Sequence, residues 1–174
     1  LLTAATFFIS VIFLGCEKDN VVASAKLNEI DFQVVILNEQ NIEAVSFEHG
    51  TDIILALKLI NNLDQDLEWN YDYTCQLLDL EDFLLVYQFI QDDESNAYYL
   101  PIGQPQLRPI NCQTINLPPQ LIPPGESLII KLSWNANPEN EPLKKGKYYT
   151  VSNFEFKSNG EKKEWDLRTD FEIL

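Results

Sequence analysis

Basic residues are scarce in this chain: 12 Lys and Arg stand against 27 Asp and Glu over 174 residues, a net charge of −15. Such a field repels polyanions, which excludes nucleic acid as a partner and weighs against charge-driven docking on an anionic bilayer. Histidine is scarcer still, with His49 alone. Any Ser-His-Asp or Cys-His system would have to use it, yet it sits beside Gly50 in a turn signal, and no Gly-x-Ser-x-Gly elbow is present. Two Cys far apart and one His do not make a zinc site. Six glycines form neither a phosphate-cradling loop nor a dinucleotide fingerprint. Long apolar runs are missing too. The uncharged run at residues 1–14 would rise only about 21 Å as a helix, short of the ~30 Å hydrocarbon core of a bilayer. We therefore expect no catalytic residue, no metal and no cofactor.

What is present is apolar and aromatic. An apolar fraction of 45%, with ten Phe, seven Tyr and three Trp, excludes a disordered chain and supports one domain plus extensions. The organising stretch is 52–61, where Ile53, Leu55, Leu57 and Leu59 alternate with Ile54, Ala56, Lys58 and Ile60, as in an interior strand. Ile30, Phe32, Val34 and Ile36 mark an earlier strand. Leu67, Trp69, Tyr71, Tyr73 and Cys75 alternate along another, and residues 82–90 are apolar on both faces. Leu128, Ile130, Leu132 and Trp134 line one face of 127–134. A strand from the region of Tyr148 to about Phe156, the turn signal Ser158-Asn159-Gly160, and the alternation Trp165, Leu167, Thr169, Phe171, Ile173 close the chain. Residues 91–120, with five prolines and the acidic run Asp92-Asp93-Glu94, read as a long surface excursion with short edge strands. Seven or eight strands, no helix and turn signals every 8–12 residues predict an all-β antiparallel sandwich.

Residues 1–14 have the length and character of the apolar part of a secretory signal. No Met or basic segment precedes them, so the natural start is expected upstream. Phe13-Leu14-Gly15-Cys16 follows, then Glu17-Lys18-Asp19, and this resembles a bacterial lipobox. The resemblance implies removal of residues 1–15, lipidation of Cys16 and a tether over 16–26 ahead of a domain spanning 27–174. Acyl chains at ~0.8 kcal/mol per buried CH₂ would hold such a protein on its membrane without a spanning helix. The short acidic stretch after Cys16 also resembles export signals of surface-displayed lipoproteins, so the outer membrane, on its surface or periplasmic face, is the expected location. Cys75 and Cys112 then remain as an even pair in an oxidising setting. A bridge between them would close a 37-residue loop, worth up to ~4 kcal/mol in the chain-entropy model.

Leu143-x-x-Gly146-x-Tyr148 resembles the tyrosine corner of Ig-like sandwiches, in which a Tyr hydroxyl bonds back to the backbone. Around it, Phe47-x-x-Gly50-x-Asp52-Ile53, Leu59-Ile60-Asn61-Asn62, Asp82-Phe83-x-x-Val86-Tyr87, Pro124-Gly125-Glu126-Ser127 and Trp134 come in an order similar to exported Ig-like bacterial lipoproteins of unassigned function. The order is more loosely similar to the bacterial intracellular proteinase inhibitor (BsuPI-like) domain. The resemblance implies an Ig-like fold, and proteinase inhibition only by analogy with the BsuPI-like domain. Its motifs are turns, a core Trp and a corner Tyr, and they carry no catalytic group.

Candidate contact residues are aromatic. Trp69, Tyr71 and Tyr73 on one strand face, with Tyr98 and Tyr99 as a rim, would make a sugar-stacking platform, although alternating aromatics more often fill a core. Asp64/Asp66/Glu68, Asp79/Glu81/Asp82 and Asp92/Asp93/Glu94 read as solvated loop charge. Asn61, Asn62, Asp64 and Asp66 are hard oxygen donors but lack the spacing of a calcium loop. The expectation is a membrane-anchored module that binds a protein or a glycan, with the edge strands or the 91–120 excursion as its contact surface.

Overall fold

In the computed structural model, described over residues 29–78, 80, 83–91, 96–105, 118–158 and 161–174, the alternating segments become strands. β1 (Ile30–Leu37) buries Ile30, Phe32, Val34 and Ile36 and leaves Asp31 and Gln33 in water. β3 (Ile54–Asn61) buries Leu55, Leu57 and Leu59 almost completely. β1 and β8 (Ser127–Ser133) pair with it antiparallel on either side, so it is the interior strand its composition predicts. Leu128, Ile130 and Leu132 of β8 pack against the core.

The facing sheet is built on the long hairpin of β9 (Gly146–Ser158) and β10 (Glu161–Ile173). Ser158 pairs with Glu161, so two residues join the strands at the expected turn. β5 (Leu85–Gln91) adds to β9, and β6 (Ala97–Gly103) adds to β5 as the outer edge. On the far side, the two-residue β2 (Ser46–Phe47) lies parallel to the end of β10, giving the order β2-β10-β9-β5-β6. β1-β3-β8 packed against β10-β9-β5 is the Ig arrangement of strands A-B-E against G-F-C. The protein is an all-β sandwich.

Aromatic rings fill the space between the layers. The Phe32 ring meets Phe154 and Trp165 edge-on at 4.9 and 5.0 Å and stacks on Phe156 at 5.7 Å. Each buried side chain of this size contributes roughly 1.5–3 kcal/mol by leaving water. At one end, Trp134 is buried in a 3₁₀ turn (Trp134–Ala136) and donates its indole N–H to the Glu141 carbonyl at 2.9 Å. There too the Tyr148 hydroxyl donates to the Lys144 carbonyl at 2.6 Å, the tyrosine corner that the sequence resembles.

The structure corrects three expectations. Ten strands are present among the described residues, not seven or eight, because β2, β4 (Leu67–Trp69) and β7 (Gln120–Ile122) are short additions. The strand expected from Leu67 to Cys75 ends at Trp69, and α1 (Tyr71–Leu78) follows. Tyr73 and Leu77, four apart and both buried, share its inner face. The strand expected from Asp82 starts at Leu85, after Leu84 takes a left-handed backbone (φ 55°). Segments 1–15 and 16–26, and most of the 91–120 excursion, lie outside the described residues. Two pieces flanking the excursion's centre are the expected edge strands β6 and β7.

Candidate functional site

The scaffold motifs are occupied with scaffold work. Asn61 is fully buried, and its carboxamide donates to the carbonyls of Gln65 (2.9 Å) and Ile122 (2.7 Å) while accepting from the Leu63 N–H (2.9 Å). Its backbone exchanges bonds with Glu126 and Gly125. Gly125, at φ 75°, supplies the left-handed position that the turn from Pro123 to Glu126 requires. Asn61 is thus committed to the backbone of the two loops it joins. Asp64, Asp66 and Glu68 are exposed. Asp52 accepts from the Ser133 hydroxyl at 2.8 Å and ties the end of β8 to the start of β3. His49 is exposed in its turn. Among the described residues, no group of three His, Cys, Asp or Glu is placed to hold a metal ion.

The predicted aromatic platform divides. Trp69 and Tyr73 are buried and face each other with ring centres 5.3 Å apart, and the Trp69 N–H donates to the Thr74 hydroxyl at 2.9 Å. Both contact Phe156 in the core, so neither offers a ring to a ligand. The side chain of Tyr71 lies outside the described residues, as do Cys16 and Cys112. Cys75 is disulfide-bonded, and its partner falls outside them too. Tyr98 and Tyr99 are about half exposed on β6, at 49% and 46%. Strand alternation sends them to opposite faces, since Tyr99 pairs with Phe89 and Tyr98 with Ile90.

Tyr99 belongs to a cluster that no local pattern announces. On the solvent face of the five-stranded sheet, Tyr87 of β5 and Tyr149 of β9 are directly paired and stack at 4.8 Å with 7° between their planes. Tyr99 meets Tyr149 edge-on at 4.7 Å, and Phe89 lies 5.4 Å from Tyr99. Arg168 of β10 crosses this group with its guanidinium carbon 3.9 Å from the Tyr149 ring centre and 5.5 Å from that of Tyr99. Its Nη2 donates to Asp170 at 2.6 Å. That bond, then the contact with Tyr99, raises the Arg168 pKa and keeps the charge fixed. Desolvation, then the neighbouring Tyr87, raises the Tyr149 phenol. Beside the cluster, Phe89, Tyr99, Lys147, Asp170 and Glu172, with Val45 at the rim, line a groove of about 450 Å³. Aromatic walls and carboxylates in one groove suit recognition.

No protein-family model matches the chain, and no curated protein sequence matches it. A solved structure described as "X-ray structure of Northeast Structural Genomics Consortium target SoR45" is similar over 84% of this chain and 86% of that one, at 12% identity and a TM-score of 0.30. No helix among the described residues is long and apolar enough to cross a membrane.

Proposed function

We propose that this protein is an extracytoplasmic binding module, tethered to a bacterial membrane through a lipidated Cys16 and acting without catalysis. The carrying observation is the aromatic face made by Tyr87, Phe89, Tyr99 and Tyr149 on the outside of a sheet whose core is already filled. Rings retained at a solvent face are an interaction surface more readily than a folding requirement. The placement fits a tether. β1 begins beside the start of β10, where the Lys163 ammonium donates to the Ile30 carbonyl at 3.2 Å. The groove lies at the far end of β10, around Asp170 and Glu172, roughly 25–30 Å away at strand rise. A domain held from its amino-terminal side would present the groove away from the bilayer.

Carbohydrate binding is the second reading. The half-exposed ring of Tyr99 favours it on this face, while Trp69 and Tyr73 are sealed inside. Proteinase inhibition needs a loop that enters a protease cleft. A protease panel showing no inhibition at micromolar concentration removes it.

Two measurements test the main reading. Alkynyl-palmitate labelling in a bacterial host is expected to mark the chain and to be lost, with release from the membrane fraction, in Cys16→Ala. A photo-crosslinking residue at Val151 or Asp166, both on the aromatic sheet's outer face, is expected to give a discrete adduct in intact cells. The same residue at Gln33, on the opposite sheet, should give none. Label on the Cys16→Ala variant overturns the anchor, and equal adducts at all three positions overturn the contact surface.

A further inference from the structure

We propose that the free edge of β6 is a seam for a second copy of this chain, paired antiparallel with Ala97 opposite Tyr99 of that copy. This goes beyond the outer-face reading and does not depend on what that face binds. Among the described residues no strand lies outside β6 in the order β2-β10-β9-β5-β6. An open edge presents a row of unpaired N–H and C=O groups, and folded proteins guard it with charge or by keeping the strand short. The other outermost strands of the two layers are guarded in those ways. β1 carries Asp31, β8 carries Lys131, and β2 is two residues long. β6 carries no charge over Ala97–Gly103, and its Tyr98, Tyr99 and Leu100 are each about half exposed. In a chain of net charge −15, an uncharged edge is where two copies repel least.

Strand register fixes which backbone groups face out. The Glu172 and Leu174 N–H groups donate to β2, so the odd-numbered residues of β10 turn theirs toward β9. Carried through the pairs Phe171–Tyr148, Tyr149–Tyr87 and Gln88–Leu100, the alternation turns Tyr98 and Leu100 toward β5. Ala97, Tyr99 and Pro101 are left facing out. Pro101 fits, since a residue without an N–H costs the ladder nothing at an outward position. A twofold axis through Tyr98 sets Ala97 against Tyr99 of the second copy, where each residue both donates and accepts. The outward donors of Ala97 and Tyr99 are then satisfied, and the small Ala97 side chain leaves room for the Tyr99 ring beside it. An axis through Tyr99 instead sets Ala97 against Pro101, whose missing N–H leaves the Ala97 carbonyl unpaired. The strand thus complements itself in one register, which favours a second copy over a foreign peptide. So short a seam falls below the ~800 Å² per partner of a standard interface, and micromolar dissociation is expected.

The test is oxidation of engineered thiols in the full chain, in detergent with micelles in excess. At a non-hydrogen-bonded antiparallel pair the facing Cα atoms are about 4.5 Å apart, within disulfide reach. Tyr98→Cys is therefore expected to give a covalent dimer of this chain that a reductant dissolves. Leu100→Cys, on the same side of the strand, would lie roughly 13 Å from its counterpart and should give no dimer above the parent. Ala97→Pro removes an outward N–H without touching the bonds to β5. It is expected to lower the Tyr98→Cys dimer about tenfold with the thermal melt unmoved. Ala97→Lys adds the charged guard that this edge lacks and should have the same effect, so a misfolded proline variant does not decide the result. Equal dimer from Tyr98→Cys and Leu100→Cys overturns the proposal. So does a Tyr98→Cys dimer that neither Ala97 variant lowers. No Tyr98→Cys dimer above the parent overturns it as well, including the case in which the thiol is captured by another protein. In each case the Val151 and Asp166 crosslinks still decide the outer face independently.

Discussion

The Tyr148 hydroxyl reaches 2.6 Å back to the Lys144 carbonyl oxygen, four residues upstream, and fixes the loop that delivers the chain into β9. Buried Leu143 anchors the same loop from the other side. Tyr148→Phe keeps the ring and removes the bond, so it is expected to cost about 1–2 kcal/mol in urea unfolding near neutral pH. Burial also raises the Tyr148 phenol above its ordinary value of 10. The native state then holds a proton that the unfolded chain releases, so this stabilisation is complete below about pH 10 and is lost as pH rises through the higher folded value. The Phe variant should therefore lose stability less steeply than the parent between about pH 9 and 11. An unchanged slope would mean that Tyr148 does not titrate differently in the two states.

Trp69 separates a core from a binding platform. Its ring lies 5.7 Å from Phe156 and 6.1 Å from Phe32, and its N–H is bonded to Thr74. Trp69→Ala is expected to cost about 3–5 kcal/mol, with a collapsed or strongly lowered thermal melt. An unchanged melt would put the indole at the surface.

Asn61 holds three backbone groups of two loops with one side chain. Asn61→Ala removes the side-chain partner of the buried Ile122 carbonyl and the buried Leu63 N–H, and a loss of about 2–4 kcal/mol is expected from chemical denaturation. Adding calcium should not shift the melt of the parent protein, because the carboxamide is buried and tied to three backbone groups. A calcium-dependent rise would reopen the loop as a site.

Thr150 is a case of the opposite sign. Its hydroxyl is fully buried on the inner face of β9 and has no hydrogen-bond partner among the described residues. Thr150→Val keeps the shape and removes an unsolvated polar atom, so stability should be unchanged or higher by up to about 1 kcal/mol. Thr150→Ser keeps the hydroxyl and deletes a methyl, and should be less stable by about 1 kcal/mol. A Val variant less stable than the parent would mean that the hydroxyl has a partner.

The strands that carry the sandwich were legible because β1 and β10 alternate a wetter side with a dry one at period two, while β3 is apolar on nearly both sides, as an interior strand is. α1 was not, because Tyr71, Tyr73 and Cys75 also satisfy period two. The distinguishing signal was Tyr73 with Leu77, four apart, after Asn70 and with Asp72 in the first turn. β2 was hidden for another reason. Two residues pairing parallel with the chain's far end leave no periodic trace. The tyrosine corner was readable as a short motif, since its partners are four residues apart. The aromatic face was not, because Tyr87, Tyr99, Tyr149 and Arg168 come from four strands and meet only once β5, β6, β9 and β10 are in register.

β2 has a consequence for how the molecule is made. The Leu174 N–H donates to the Phe47 carbonyl at 2.8 Å, and the Glu172 N–H donates to the Val45 carbonyl at 2.9 Å. Residues 172–174 thus complete an edge begun more than a hundred residues earlier, so β2 has no strand to pair with until β10 has been made. That seam is a late, long-range closure held by two amide donors, and a proline at position 172 would remove one of them.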